Sequence, residues 1–410
     1  MNGFLPYLTD DLPGMGGQIK TNPEDFIVEE IPLYAPSGQG QHVYLTLEKT
    51  GMTTLQAINA IADALKISRR EIGYAGLKDA QAVTRQTLSI GGGVTEEAVA
   101  ALNIPGIRVL SVSRHTNKLK VGHLKGNRFV IRVRGVGQNA LPLAEAVLSR
   151  LQHCGAPNYF GQQRFGIRQN THRLGLALMR NQPAEFIAEF LGRPHPAENP
   201  LVQRARALFD EGRPAEALAA WPSLLYEERK VLQTLVEKED AAKALHVLDR
   251  RLKRLFVSAT QSHLFNRLLA QRLATLGVLE AGDVAYIHRS GACFVVESAA
   301  REQPRADAFE ISPAGPLFGP KYLPARGEPG RRERALLEAS GIALEDFLVP
   351  GVRLEGGRRP YRVPIEDVSI HPEEEALVLS FTLPSGSYAT AVLREVMKND
   401  GEPPSPAGDG

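Results

Sequence analysis

Asp79 closes the run Gly76-Leu77-Lys78-Asp79, and a carboxylate set in a glycine-punctuated segment is the feature of this chain best suited to chemistry. With a free pKa of about 3.9, an aspartate is ionised at neutral pH and can act as nucleophile or as base. Taken alone, however, a loop aspartate more often ends a turn through its side-chain hydrogen bonds than performs catalysis. Other reactive residue types offer less. The ten histidines contain no HExxH pattern and do not cluster with either cysteine, so no metal site is expected. Cys154 and Cys293 are far apart and lack CxxC spacing, which points to two buried thiols instead of a disulfide. Gly91-Gly92-Gly93 lacks the Lys-Ser/Thr of a phosphate loop and the spacing of a dinucleotide fingerprint. It reads as a turn, and no cofactor is expected.

The elements that must position Asp79 follow from periodicity. Residues 26–30 and 42–47 have the texture of strands, and Leu55, Ile58, Ala62 and Leu65 mark the buried face of a helix. Ser68 and Glu71 have capping-box spacing, but only a short segment follows before Gly73-Tyr74-Ala75-Gly76, so Asp79 is expected on a loop. Phe129, Ile131 and Val133 alternate with Val130, Arg132 and Arg134, the period of a strand with one apolar and one basic face. From about residue 156 to 356 the texture changes to helical segments punctuated by prolines. A strand through Leu377, Leu379, Phe381 and Leu383 and a helix through Ala389, Val392, Leu393, Val396 and Met397 then follow.

Composition sets the frame. With 410 residues, 43% hydrophobic and 23% charged, the chain resembles an average soluble protein long enough for two domains. No apolar run approaches the roughly 20 residues that span a bilayer, and the opening MNGFLPYLTDDLPG lacks the layout of a signal peptide. No membrane association is expected, and the expected compartment is the cytoplasm. Net charge is only +2, but Arg108, Arg114, Lys118, Lys120, Lys125, Arg128, Arg132 and Arg134 fall between Pro105 and Ala140 without one acidic residue. That stretch is either a surface for a polyanion or a solvated strand pair with a basic face.

The segment Gly73-Tyr74-Ala75-Gly76-Leu77-Lys78-Asp79-Ala80-Gln81-Ala82-Val83-Thr84-Arg85-Gln86 resembles the signature of TruD-type tRNA pseudouridine synthases. In order along the chain it is joined by Lys20-Thr21-Asn22-Pro23-Glu24-Asp25-Phe26, Gly126-Asn127-Arg128-Phe129, Asn158-Tyr159-Phe160-Gly161-Gln162-Gln163-Arg164-Phe165-Gly166, Gln261-Ser262-His263-Leu264-Phe265-Asn266, Gly315-Pro316-Leu317-Phe318-Gly319 and Pro384-Ser385-Gly386-Ser387-Tyr388-Ala389-Thr390. The resemblance implies an α+β fold: a pseudouridine synthase catalytic domain with a mixed sheet and flanking helices, built from residues 1–155 and 356–400, around an inserted TruD-specific domain at 156–355. Residues 401–410, without a large hydrophobic residue, are expected to be a disordered tail.

The same resemblance implies that Asp79 is catalytic, that Lys20 is the cation beside it, and that Phe129 packs on a uracil flipped out of the RNA. Core packing is the rival role for Phe129. Phe26 and Tyr388 match aromatic substrate-contact positions, with Tyr388 standing where the family is expected to carry phenylalanine, and Asn127 offers donor and acceptor to uracil or ribose. Lys118, Lys120, Lys125, Arg132 and Arg134 are candidates for contacts to the RNA backbone. The implied activity is isomerisation of uridine, uridine 13 of tRNA by family resemblance, by an enzyme without cofactor and expected to be monomeric. A noncatalytic RNA-binding protein and a related enzyme acting on another RNA are the alternatives.

Overall fold

The computed structural model describes residues 5–399, so the expected tail at 401–410 lies outside the described residues. The chain divides into two compact units, one made of Thr9–Ala156 and Val363–Asp400, the other built on Pro157–Arg362.

The first unit is organised on an eight-stranded mixed sheet. Strands β1 (Phe26–Pro32), β2 (His42–Thr50), β3 (Ile72–Tyr74), β4 (Val83–Ile90), β5 (Ile107–His115) and β6 (Leu124–Arg134) come from the amino-terminal part. The carboxyl-terminal strands Glu366–Glu373 and Ala376–Pro384 complete it. From one edge the order is Glu366–Glu373, Ala376–Pro384, β6, β1, β4, β2, β5, with β3 also paired to β4. Only β1 and β4 run parallel. β6 is antiparallel to both neighbours, with Phe129 opposite Val28 on one side and Phe381 on the other.

Local sequence explains the flanking helix α1 (Thr54–Leu65). Thr53 caps its first turn by accepting from the Gln56 amide, while the Gln56 side chain reaches back to the Thr53 amide at 2.8 Å. Its buried face is Thr54, Ala57, Ile58, Ile61 and Ala62, packed on Val43, Leu45, Leu47, Leu88 and Ile90. Leu55, expected on that face, is instead 51% exposed, because the apolar stripe is offset by one residue toward Thr54. Ser68 and Glu71 frame a single 3₁₀ turn, Arg69–Glu71, too short to be the start of a longer helix.

The two ends of this unit are tied to each other. Thr9 donates from its amide and hydroxyl to the buried Glu395 carboxylate at 3.0 and 2.8 Å, and the Lys398 ammonium donates to the Thr9 and Leu12 carbonyls. Glu395 and Lys398 belong to the helix Ala389–Met397 and its left-handed cap, and that helix buries Ala389, Val392, Leu393, Val396 and Met397 as its spacing predicts.

In the second unit the 23-residue helix Arg250–Arg272 packs on Thr171–Met179, with Gly175 so close that a β-carbon would lie 2.1 Å from the Phe256 carbonyl oxygen. The unit is not purely helical as its texture suggests. A four-stranded sheet runs Gly357–Pro360, Ile311–Leu317, Val284–Ile287, Cys293–Val295. Its second strand, Ile-Ser-Pro-Ala-Gly-Pro-Leu, hides its nature behind two prolines. They are tolerated because residues 311–313 pair on one side and residues 314–317 on the other, so each half behaves as an edge. Cys154 and Cys293 are half-buried, more exposed than the buried thiols expected.

A glycine holds β6 in register beside the candidate site. A β-carbon on Gly126 would stand 2.5 Å from the carbonyl oxygen of Leu383 across the strand pair. Gly126→Ala is expected to lower stability by about 1–3 kcal/mol, as overpacking does, and urea unfolding of the variant against the parent measures it.

Candidate active site

Asp79 lies between β3 and β4, in the expected loop. Its Oδ2 accepts from the Lys20 ammonium at 2.7 Å, and its Oδ1 accepts from the Ala80 amide at 2.8 Å. The carboxylate side chain is 45% exposed, whereas the lysine is 16% exposed. Burial pushes the Asp79 carboxyl upward, but the Lys20 ammonium and the amides of Gln81 and Ala80 outweigh it and hold the group below its ordinary value. Asp79 is therefore an accessible anion at neutral pH. Lys20 itself sits in left-handed backbone, φ 59°, a conformation that costs a non-glycine residue on the order of 1 kcal/mol. That turn brings its ammonium to Asp79 and over the ring of Phe26, 4.8 Å from the centroid.

The loop carrying Asp79 is fastened from several sides. The Lys78 amide donates to Thr54 Oγ1 at 2.8 Å, and that hydroxyl donates to Gln86 Oε1 at 3.0 Å. The Lys78 ammonium pairs with Glu30 of β1 at 2.6 Å, with both side chains buried. From β2, the Lys49 ammonium donates to the Asp79 carbonyl at 3.0 Å.

Phe26 and Phe129 extend this site along one face of the sheet. Their rings meet edge-on at 6.4 Å, and Phe129 also packs on Phe381 at 5.6 Å. Phe129 is only 6% exposed, so it takes part in the core as well as facing the same side as Asn127. Asn127 lies opposite Glu30, the partner of Lys78, and its Oδ1 is buried without a hydrogen-bond partner. Tyr388 is half-buried at the start of the helix Ala389–Met397, after the turn that leaves Pro384 opposite Gly126.

The five basic candidates separate. Arg132 and Arg134 project from the opposite side of β6 to Asn127 and Phe129 and are already engaged. Arg134 binds Asp25 at 2.7 Å, and Arg132 binds Glu373 at 2.7 Å and Asp25 at 3.4 Å. Asp25 is almost wholly buried, and Arg134 foremost holds its carboxyl below the ordinary range. These arginines neutralise a buried carboxylate, a role that the sequence did not suggest. Lys118 donates to the Arg70 carbonyl. Lys120 and Lys125 are exposed, and neither ammonium has an ion-pair partner among the described residues.

A family model described as tRNA pseudouridine synthase D (TruD) matches residues 3–396. This chain belongs to the TruD family. Among the curated members, tRNA pseudouridine synthase D of Geobacter metallireducens is 48% identical over 97% of this chain and 99% of its own length. That of Anaeromyxobacter dehalogenans strain 2CP-C is 41% identical, over 98% of each chain. A crystal structure from Methanosarcina mazei, provisionally assigned as tRNA pseudouridine synthase D, superposes with a TM-score of 0.83 at 29% identity, covering 97% of this chain and 96% of its own. The TruD fold, a mixed sheet with flanking helices and a large insertion, is thus the fold of this chain.

In this TruD-family member, the supports of the Asp79 loop went unnoticed in the sequence. Glu30 and Thr54 look like ordinary strand and helix residues, and Lys78, though inside the signature, carries no local sign that it pairs with Glu30. Lys49 did carry a signal: it continues the inward alternation of Val43, Leu45 and Leu47, where a charged residue is out of place.

The Lys20 to Asp79 pair makes a prediction with a sign. Removing the cation in Lys20→Met takes away the strongest influence opposing burial, so the Asp79 carboxyl rises. The acid limb of the single-turnover rate should shift to higher pH than in the parent, and an unmoved limb would show that Lys20 does not set the ionisation of Asp79.

Proposed function

We propose that this chain isomerises uridine to pseudouridine in tRNA, at uridine 13, in the cytoplasm, with Asp79 as its catalytic carboxylate. The observation that carries this reading is the accessible Asp79 anion, paired with Lys20 at 2.7 Å inside the family signature. The reaction breaks the N1 to C1′ bond, turns the uracil while it remains bound, and joins C5 to C1′; the proton displaced from C5 is balanced by one gained at N1. No net oxidation occurs, so no redox cofactor is required. An ionised carboxylate serves either as nucleophile at C1′ or as base toward a ribose proton.

The neighbouring groups support the same reading. The unpaired Oδ1 of Asn127 is an acceptor suited to the imino N–H of uracil. Phe129, Phe26 and Tyr388 supply aromatic surface for a base taken out of its stack. Lys120 and Lys125, with Lys118 beside them, suit phosphate contacts, since no carboxylate neutralises the first two among the described residues.

Asp79→Asn keeps the shape of the side chain and removes its charge. It is expected to abolish pseudouridine formation while tRNA affinity and the unfolding midpoint stay near the parent's. Mapping pseudouridine in tRNA treated with parent and variant reads both activity and position; normal turnover by the variant would remove Asp79 from the chemistry, no pseudouridine from the parent would leave an RNA-binding role, and modification elsewhere would move the target from uridine 13.

Neutralising Lys120 and Lys125 together should weaken tRNA binding and flatten its dependence on salt by roughly one to two units of log–log slope, because fewer counterions are released. Affinity across a salt series measures this, and an unchanged slope would assign both lysines to a solvated surface.

A further inference from the structure

Lys49 is the most unusual charged residue in the catalytic unit. It is wholly buried, on the inward face of β2, where its strand neighbours of the same parity are Leu45 and Leu47. Among the described residues, its ammonium makes hydrogen bonds to two main-chain oxygens, those of Met52 at 2.6 Å and Asp79 at 3.0 Å, and no ion pair. Burying a cation against carbonyl dipoles alone is costly, and an apolar side chain of similar length would avoid that cost.

We propose that Lys49 is a positioning residue for the isomerisation: its ammonium clamps the backbone of the Asp79 loop to the turn before α1 and holds positive charge behind the catalytic carboxylate. The inference rests on Asp79 being the catalytic group. The clamp complements the others, because Lys78 and Thr54 fix the residue before Asp79 and Lys20 grips its carboxylate, whereas Lys49 holds the carbonyl of Asp79 itself.

The charge on Lys49 is finely balanced. Burial pulls its pKa from the usual lysine range down to about 8, with Lys78 of the loop adding to that pull. Asp79 of the loop and Glu30 of β1 oppose it. Thr84 and Gln86 of the adjoining β4 are polar and uncharged. The protonated clamp therefore persists below about pH 8 and is lost as pH rises through that value.

The test measures kcat and KM on tRNA from pH 6 to 10 for the parent, Lys49→Met, Lys49→Gln and Asp79→Asn, with circular dichroism at each pH. The parent should lose rate above about pH 8 while remaining folded. Lys49→Met should have a kcat lower by roughly tenfold with KM within about twofold, the pattern of a group that orders the reacting centre and not the bound RNA. Lys49→Gln, which keeps a donor without a charge, should recover part of that rate and lack the alkaline decline. Parental kcat and pH profile in either neutral variant would overturn the proposal. Should neither variant fold, a flat rate in the folded parent across that range would overturn it as well. An active Asp79→Asn would instead remove the reading beneath it, whereas an inactive Asp79→Asn beside a parental Lys49→Met would remove only the clamp.

Discussion

The pairing of β6 between β1 and the strand Ala376–Pro384 is the constraint on which the catalytic unit rests, because one register decides what each residue of β6 can do. With Phe129 opposite both Val28 and Phe381, Asn127 and Phe129 are committed to one face and Arg128, Arg132 and Arg134 to the other. A slip of one residue would exchange the two sets, putting guanidinium groups beside Phe26 and an aromatic ring beside Asp25. The faces are chemically matched to this arrangement. Asp25, buried within reach of Arg132 and Arg134, stabilises the basic face as it stands, and the aromatic row of Phe26, Phe129 and Phe381 does the same for the apolar one.

The candidate site draws on that order without contributing much to it. An ion pair such as Lys20 to Asp79, with the carboxylate nearly half exposed, adds little to stability. Its geometry comes from the groups around it: the left-handed turn at Lys20, the amide of Ala80, and the buried Lys78 to Glu30 pair on the adjacent strand. The Asp79 carboxylate is thus held by backbone and buried polar groups while nearly half of its own surface stays open.

Much of this was legible in the sequence where the relevant physics is local. Alternation exposed β6, helical spacing exposed the face of Ala389–Met397, and the glycine-punctuated signature marked the Asp79 loop. What escaped notice depends on contacts distant in sequence. The ion pair of Arg132 on the basic face of β6 is hidden because Glu373 lies 241 residues away, and no window along the chain shows the two together. The sheet of the second unit escaped for a different reason, since Pro313 and Pro316 argue against a central strand unless the divided pairing of its two halves is known. Lys49 was visible as an anomaly in an apolar alternation, but its carbonyl partners come from two loops that only the fold brings together.

Because the strand Ala376–Pro384 completes the sheet next to β6, the order in which the chain is made bears on how this unit matures. A ribosome will have synthesised β1 to β6 and then the whole of Pro157–Arg362 before the last partner of β6 emerges. At translation rates of about 5–20 residues per second, the edge of β6 waits on the order of ten seconds or more for its neighbour. During that interval its unpaired amides and carbonyls are open to pairing with other chains, a hazard that grows with concentration. The arginines on one face of that edge carry like charge, and before Glu373 arrives they make it a poor template for another copy of itself.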